Sequence, residues 1–176
     1  QVSGLAQIKN EKRNILKAST YGTGLLIKDA LSRGCKEIIL GVGGSATNDG
    51  GAGIFEALGG KLLDKKGESL EKGGGSLSSL ESIIPPQIPK SIKWKVACDV
   101  NNPLLGNFGS STIYGPQKGA SKSDIKILEK SLTQFSKVLE KQFKRSITKI
   151  KGGGAAGGAA AGMHGFFNAS LMSGFS

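Results

Sequence analysis

Glu37-Ile38-Ile39-Leu40 runs into Gly41-Val42-Gly43-Gly44-Ser45-Ala46-Thr47-Asn48-Asp49-Gly50-Gly51, and that loop runs into Ala52-Gly53-Ile54-Phe55-Glu56-Ala57-Leu58. A β-branched apolar run, a glycine-dense loop and a helical pattern in this order predict strand, loop, helix. Glycines carry no Cβ, so their N–H groups can lie close to an anion, and the following helix adds partial positive charge. The stretch is therefore a candidate phosphate or carboxylate site. Asp49 stands where it can cap the helix that follows, and Gly59-Gly60 closes that helix.

Lys93-Trp94-Lys95-Val96-Ala97-Cys98-Asp99-Val100 alternates and then turns apolar, as a strand does on entering a core. Asp99 falls at its carboxyl end, where ligand sites of open α/β sheets gather. The expected fold class is α/β, with a mixed or mostly parallel sheet flanked by helices. On the amino-terminal side, residues 1–16, with the mixed run Lys9-Asn10-Glu11-Lys12-Arg13-Asn14, read as a surface connection. A helix then opens at Ser19-Thr20-Tyr21-Gly22-Thr23-Gly24, capped by Ser19, Thr20 or Thr23, with Leu25, Leu26, Ala30 and Leu31 on its apolar face and Gly34 as its stop. Lys61-Leu62-Leu63-Asp64 reads as a short strand. Leu77, Leu80, Ile83 and Ile84, after Gly73-Gly74-Gly75-Ser76, fit a short helix or strand ended by Pro85-Pro86.

Residues 85–92 form a weak linker, and no internal domain boundary is assigned within 1–176. Residues 106–118 read as a glycine, proline and polar loop. Ser121 to Arg145 carries Ile125, Leu128, Leu132, Phe135, Leu139 and Phe143 at helical spacing, and Ser121 with Asp124 fits a capping box. The small-residue run Gly152 to Gly162 fits a flexible linker by composition, and a helix packed close to another backbone by its alanines and the apolar residues that follow.

The chain has 176 residues, enough for one domain with a real core, and a formal net charge of +11. That charge suits a polyanion, but the basic residues are scattered lysines, the aromatic share is 6%, and no stacking ladder accompanies them. Nucleic-acid binding is therefore not expected. Cys35 and Cys98 belong to no CxxC motif and read as reduced core thiols. No apolar stretch reaches the roughly 20 residues that cross a bilayer, so a cytoplasmic protein without membrane contact is expected.

Several motifs bear on chemistry. No Walker lysine follows the glycines. Gly41, Gly43 and Ala46 match the dinucleotide fingerprint G-x-G-x-x-A, with Asp64 where a ribose-binding acid would fall. Against that reading, Thr47, Asn48, Gly50, Gly51 and Gly53 would then occupy the first helical turns at a high propensity cost. Ser45, Thr47, Asn48 and Asp49 instead describe a longer loop that binds with side chains as well as backbone. Asp99 with Asn101 and Asn102 can hold Mg²⁺, orient a substrate hydroxyl or accept its proton, or simply form an Asx-type turn. Lys118 can neutralise phosphate charge or be one more surface lysine. His164, among small apolar residues, reads as a packed helix residue.

Three blocks together resemble the signature blocks of the bacterial class I glycerate kinases: Gly43 to Gly51, Ala97-Cys98-Asp99-Val100 with Asn102-Pro103-Leu104, and Gly115-Pro116-Gln117-Lys118-Gly119-Ala120. Ser19 to Gly24, Gly73 to Leu77 and Gly154 to Gly158 fit the same family in the same order. The resemblance implies ATP-dependent phosphorylation of D-glycerate to 2-phosphoglycerate with Mg²⁺, in the cleft of a two-domain α/β kinase. The reading of the residues fits that implied chemistry, with Gly43, Gly44, Ser45, Thr47, Asn48, Asn101 and Lys118 as candidates for substrate or phosphate binding. Asp99 and Asp49 are the catalytic candidates, and Asp99 is the metal candidate. The family's Asp-Ser-x-Lys and Asp-Gly-Gly-Glu-Gly blocks and its carboxyl-terminal Gly-Glu-Gly block have no counterpart in the sequence. The expectation is a central region of such an enzyme, with a non-catalytic ligand-binding remnant or a dinucleotide-binding domain as the alternatives.

Overall fold

The structure, a computed structural model, describes residues 3–7 and 13–173. Five strands and five α-helices are seen among them: α1 (Tyr21–Ser32), β1 (Glu37–Gly41), α2 (Ala52–Ala57), β2 (Lys61–Leu63), β3 (Ser82–Ile84), β4 (Lys93–Ala97), α3 (Ser110–Tyr114), α4 (Lys122–Phe143), α5 (Ala159–Phe167) and β5 (Ser170–Met172). Strands β1, β4 and β5 form a parallel sheet in that order, with Glu37 opposite Lys93 and Gly41 opposite Ala97. A separate antiparallel pair joins β2 to β3. The fold is α/β, with a parallel sheet flanked by helices, as expected. The run Lys9–Lys12, read as part of a surface connection, lies outside the described residues. Of the rest of that stretch, Gly4 bridges to Ser45 and Ile15 is buried.

Two apolar clusters make the core. One surrounds Phe55, Leu132, Phe135, Leu139 and Phe166, and the other joins Ile38, Trp94 and Val96 of the sheet to Ile27, Ile54 and Met163. Helix α4 supplies Leu128, Leu132, Phe135 and Leu139, each fully buried. Ser121 accepts the N–H of Asp124 at 3.1 Å while the Asp124 carboxylate accepts the N–H of Ser121 at 2.8 Å, so the capping box forms.

Helix α1 meets the sequence expectation in part: Ala30 and Leu31 are half-buried against the core, but the other two residues of the expected face are not. Leu25 and Leu26 are 48% and 57% exposed, and the buried face is Gly24 with Ile27. The reason is the crossing with α2. A Cβ on Gly24 would stand 2.6 Å from the Ala57 Cβ and 2.8 Å from the Ile54 Cα, so the glycine is the point of closest approach. Thr20 is the N-cap residue, but its hydroxyl is engaged elsewhere; of the three candidates it is Ser19 whose hydroxyl accepts the N–H of Tyr21, the first residue of α1, at 3.2 Å.

Other departures are local. Cys35 is exposed rather than a core thiol, and Cys98 is half-buried. The 106–118 segment is not all loop, since it holds α3 and a 3-10 turn over Pro116–Lys118. Both readings of the Leu77–Ile84 stretch hold in part: a 3-10 helix spans Gly74–Ser79, and β3 follows. In the small-residue run, turns occupy 152–158 and helix begins at Ala159. The His164 ring Nδ1 lies 2.9 Å from the carbonyl oxygen of Ala169, just beyond the end of its own helix. No helix among the described residues is long and apolar enough to cross a membrane.

Candidate active site

Because β1 and β4 are parallel neighbours, the chain leaves both at the same edge of the sheet. The Val42 N–H donates to the Ala97 carbonyl at 3.1 Å, and the Cys98 N–H to the Met172 carbonyl at 2.9 Å. The loop 42–51 and the loop 98–109 therefore start side by side, at the carboxyl edge where α/β sheets place their ligands.

A third segment wedges between them. Gly50 donates to the Gly157 carbonyl at 2.9 Å, and Gly154 donates to the Asn102 carbonyl at 2.9 Å, so the 152–158 turns touch both loops. A Cβ on Gly157, whose φ is +70°, would lie 2.0 Å from the Thr47 carbonyl oxygen. From the other side, a Cβ on Gly74 would meet the Asn48 carbonyl oxygen at 2.1 Å. The glycine clusters that look like separate motifs in sequence thus close on one loop, main chain against main chain.

Within that loop the candidate residues divide by burial. Gly43 and Gly44 are exposed and Ser45 is half-buried, whereas Thr47, Asn48 and Asp49 are buried. Asp49 accepts the Thr20 N–H at 2.8 Å and the Thr20 hydroxyl at 2.9 Å on one oxygen, which also takes the Gly53 N–H at 3.2 Å. Its other oxygen accepts the Gly51 N–H at 3.2 Å. Burial holds this carboxyl above the usual carboxylate range, partly offset by the donors from Thr20, Gly53 and Gly51. It therefore acts on the starts of both α1 and α2. Helix α2 itself begins beyond Gly51, which adopts a left-handed conformation, and Asp49 reaches its first turn through Gly53.

Asn48 is fully buried and ties the loop to α3. Its amide donates to the Ser111 hydroxyl at 3.1 Å and its carbonyl accepts the Ser110 hydroxyl at 3.3 Å. Lys118 is 3% exposed, far from the alternative of a surface lysine. Its ammonium donates to the Thr47 carbonyl at 2.6 Å and to the Ser45 hydroxyl at 3.1 Å. Desolvation lowers its pKa to about 8, against an upward pull from Asp49. The Thr47 hydroxyl is buried without a hydrogen-bond partner in this structure.

On the second loop, Asp99 and Asn101 are exposed. Asn102 is not presented in the same way: its amide donates to the Phe108 carbonyl at 2.9 Å, and its side-chain oxygen accepts the Tyr114 hydroxyl at 2.7 Å. The Cys98 thiol donates to the Val100 carbonyl at 3.4 Å, folding the loop on itself. The structure brings Gly43, Gly44, Ser45, Asp99 and Asn101 to one edge of the sheet. It sets Thr47, Asn48, Asp49 and Lys118 behind them as supports.

Thr20, Ser110, Ser111 and Tyr114 support this arrangement; Thr20 is signalled in the sequence as a cap candidate of the Ser19–Gly24 block, and the other three carry no signal beyond being polar residues near glycines. Gly157 does carry one, because a run of glycines and alanines is what close main-chain contact requires. As for a metal, no group of three or more His, Cys, Asp or Glu among the described residues could enclose one. An accessible carboxylate and an amide at a strand end fit Mg²⁺, which is held by one or two protein oxygens together with phosphates and water.

The model of the glycerate kinase family matches residues 1–176. A glycerate kinase from Halalkalibacterium halodurans is 48% identical over 99% of the chain, which covers 47% of that protein. A glycerate 2-kinase from Escherichia coli is 46% identical over 98% of the chain, and the match covers 46% of it. Among solved structures, the crystal structure of a presumed glycerate kinase 2 from Salmonella typhimurium LT2 superimposes with a TM-score of 0.94 at 42% identity, over 98% of the chain and 47% of that structure. The chain spans about half the length of the curated relatives it matches.

Proposed function

The chain belongs to the glycerate kinase family, and on that premise we propose that it supplies one wall of an ATP-dependent D-glycerate kinase making 2-phosphoglycerate. The observation that carries the reading is the convergence of the Gly43–Ser45 tip with Asp99 at the carboxyl edge of the sheet. Glycerate offers a carboxylate and two hydroxyls. The exposed backbone of Gly43 and Gly44 and the Ser45 hydroxyl suit the carboxylate, and Asn101 suits a hydroxyl.

Asp99 is the accessible carboxylate of the two candidates. One of its oxygens aligns the substrate hydroxyl and takes its proton, as the hydroxyl oxygen bonds to the γ-phosphorus and the bond to ADP breaks. Mg²⁺, when bound, neutralises phosphate charge, with Asp99 and Asn101 as its protein oxygen donors. Asp49, surrounded by four donors, keeps the loop and two helix starts in register. Lys118 fixes the Ser45 hydroxyl and places a positive charge behind an anion-binding loop. Little covalent work falls to the protein in phosphoryl transfer, so positioning of this kind is most of what catalysis needs.

A dinucleotide site is not favoured, because α2 begins at Ala52, six residues beyond Ala46, and not within the G-x-G-x-x-A match. Asp64 accepts the N–H groups of Lys66 and Glu68 in a turn. The test is ADP release with D-glycerate, measured on this chain and on one extended to the length of its relatives. Turnover in the extended chain supports the reading, and its absence there with D-glycerate and ATP removes it.

A further inference from the structure

We propose that a cavity at the amino edge of the parallel sheet binds an organic anion carrying a flat aromatic ring. The cavity is about 700 Å³, within the range of small-molecule sites. It opens where β4 begins, near Lys93 and Trp94, whereas the candidate active site opens beyond Ala97. Four strand residues, about 13 Å, separate the two ends.

Its floor is aromatic. Trp94, itself buried, stacks on the half-buried Phe167 with ring centroids 4.5 Å apart and planes 21° apart, and both residues line the cavity. Pro85, Pro86 and Pro89 also line it, from the 85–92 loop, offering ring surface and no N–H groups. A flat ring finds stacking partners here on preformed surfaces.

The polar lining is of one sign. Lys90, Lys93, Lys95 and Arg145 line the cavity, and no Asp or Glu does, although the chain has 13 of them. Lys95 is already paired with Glu37 at 2.7 Å, and Glu37 acts on Lys93 only at longer range, so Lys90, Lys93 and Arg145 are the lining cations without a direct carboxylate bridge among the described residues. The Arg145 guanidinium is held by its donation to the Gly165 carbonyl at 2.9 Å, which orients a planar fork suited to phosphate or carboxylate. An apolar ring alone would leave these charges unanswered, and an inorganic anion would leave the aromatic floor uncovered. A ring bearing an anionic group satisfies both.

Trp94 is the only tryptophan of the chain, so its fluorescence reports the cavity directly. p-Nitrophenyl phosphate is titrated into the protein. A saturable quench is expected that weakens with added salt, persists in saturating ATP and D-glycerate, and needs at least tenfold more inorganic phosphate to reverse. Lys90→Glu with Lys93→Glu is expected to weaken the apparent affinity at least tenfold at an unchanged melting temperature. Should the pair shift that temperature, Lys90→Glu alone, on an exposed loop residue, carries the comparison with a loss of at least threefold. No saturable quench, an affinity indifferent to the charge reversals, equal competition by inorganic phosphate, or displacement by ATP would each overturn the proposal. Because the readout is Trp94 and not turnover, it stands or falls separately from the kinase reading.

Discussion

Thr20 gives its backbone N–H and its hydroxyl to the same carboxylate oxygen of Asp49, at 2.8 and 2.9 Å, while its hydroxyl oxygen takes the N–H of Ile54 at 3.1 Å. Two helix starts are thus joined through one threonine and one aspartate, both buried. Asp49→Asn replaces an acceptor by an NH₂ group facing donors. It is expected to cost about 3 kcal/mol or more, read as a fall in the denaturation midpoint. Thr20→Val, which removes one donor and one acceptor, should cost about half as much.

Asp99 sits differently, exposed on a loop. In a chain extended to the length of its relatives, Asp99→Asn is expected to lower kcat by at least 100-fold and leave the melting temperature within about 2 °C. Near wild-type turnover would remove Asp99 from the mechanism.

Lys118 is expected to impose an alkaline limb. Its lowered pKa means that the ammonium loses its proton near pH 8 instead of 10.5. The kcat/KM of the extended chain should therefore decline as pH rises through about 8. Lys118→Met should lower kcat/KM about 100-fold at pH 7 and abolish that limb. The stability effect has the opposite sense. The folded state binds this proton less tightly than the unfolded one, so the group's contribution rises with pH between about 8 and 10.5.

Glu56 gives a second pH signature. Burial raises its pKa from 4.5 to about 6, with Lys72 lowering it and Asp49 raising it further. The folded state therefore holds the proton more tightly, and stability falls as pH rises from about 4.5 to 6. The side chain is only half-buried, and solvent screening limits the effect to about 1 kcal/mol. Glu56→Gln should raise the melting temperature at pH 7, leave it unchanged at pH 4.5, and flatten the profile between. A lower melting temperature for the variant at pH 7 would reverse this sign.

Two glycine substitutions separate conformation from contact. Gly34, with φ +88°, has nothing within 4 Å of where an added Cβ would stand, so Gly34→Ala should cost about 1–2 kcal/mol for the left-handed backbone alone. Gly157→Ala carries a similar φ and a 2.0 Å collision with the Thr47 carbonyl, and should cost well over about 3 kcal/mol in chemical denaturation. Equal costs would mean that the wedge yields easily.

Much of this fold is legible in the sequence where a rule acts over short range. The 37–41 strand, the Ser121–Asp124 capping box and the apolar stripe of α4 follow from periodicity and local hydrogen bonding. What escapes depends on a partner far along the chain. Leu25 and Leu26 look like a core face until Gly24 is seen to be where α2 crosses. Helix α3 has five residues, too few for a periodic signal, and its start is tied down by Asn48, more than sixty residues earlier. The Gly43–Gly51 loop is readable as a site, but its division is not. Exposed Gly43 and Gly44, and buried Asn48 and Asp49, differ by a burial that distant segments impose: the packed 152–158 turns, the Gly74 contact, Thr20 and the start of α3.

Where Gly157 meets Thr47, each surface is bare main chain. Damage in an ordinary core can be repaired by a neighbour that shrinks, grows or changes rotamer. Here no side chain stands on either side of the contact to make that adjustment. Second-site suppressors of a substitution at Gly157 should accordingly be scarce, and any that arise should lie in residues that shift a whole segment, not in ones that refill a gap.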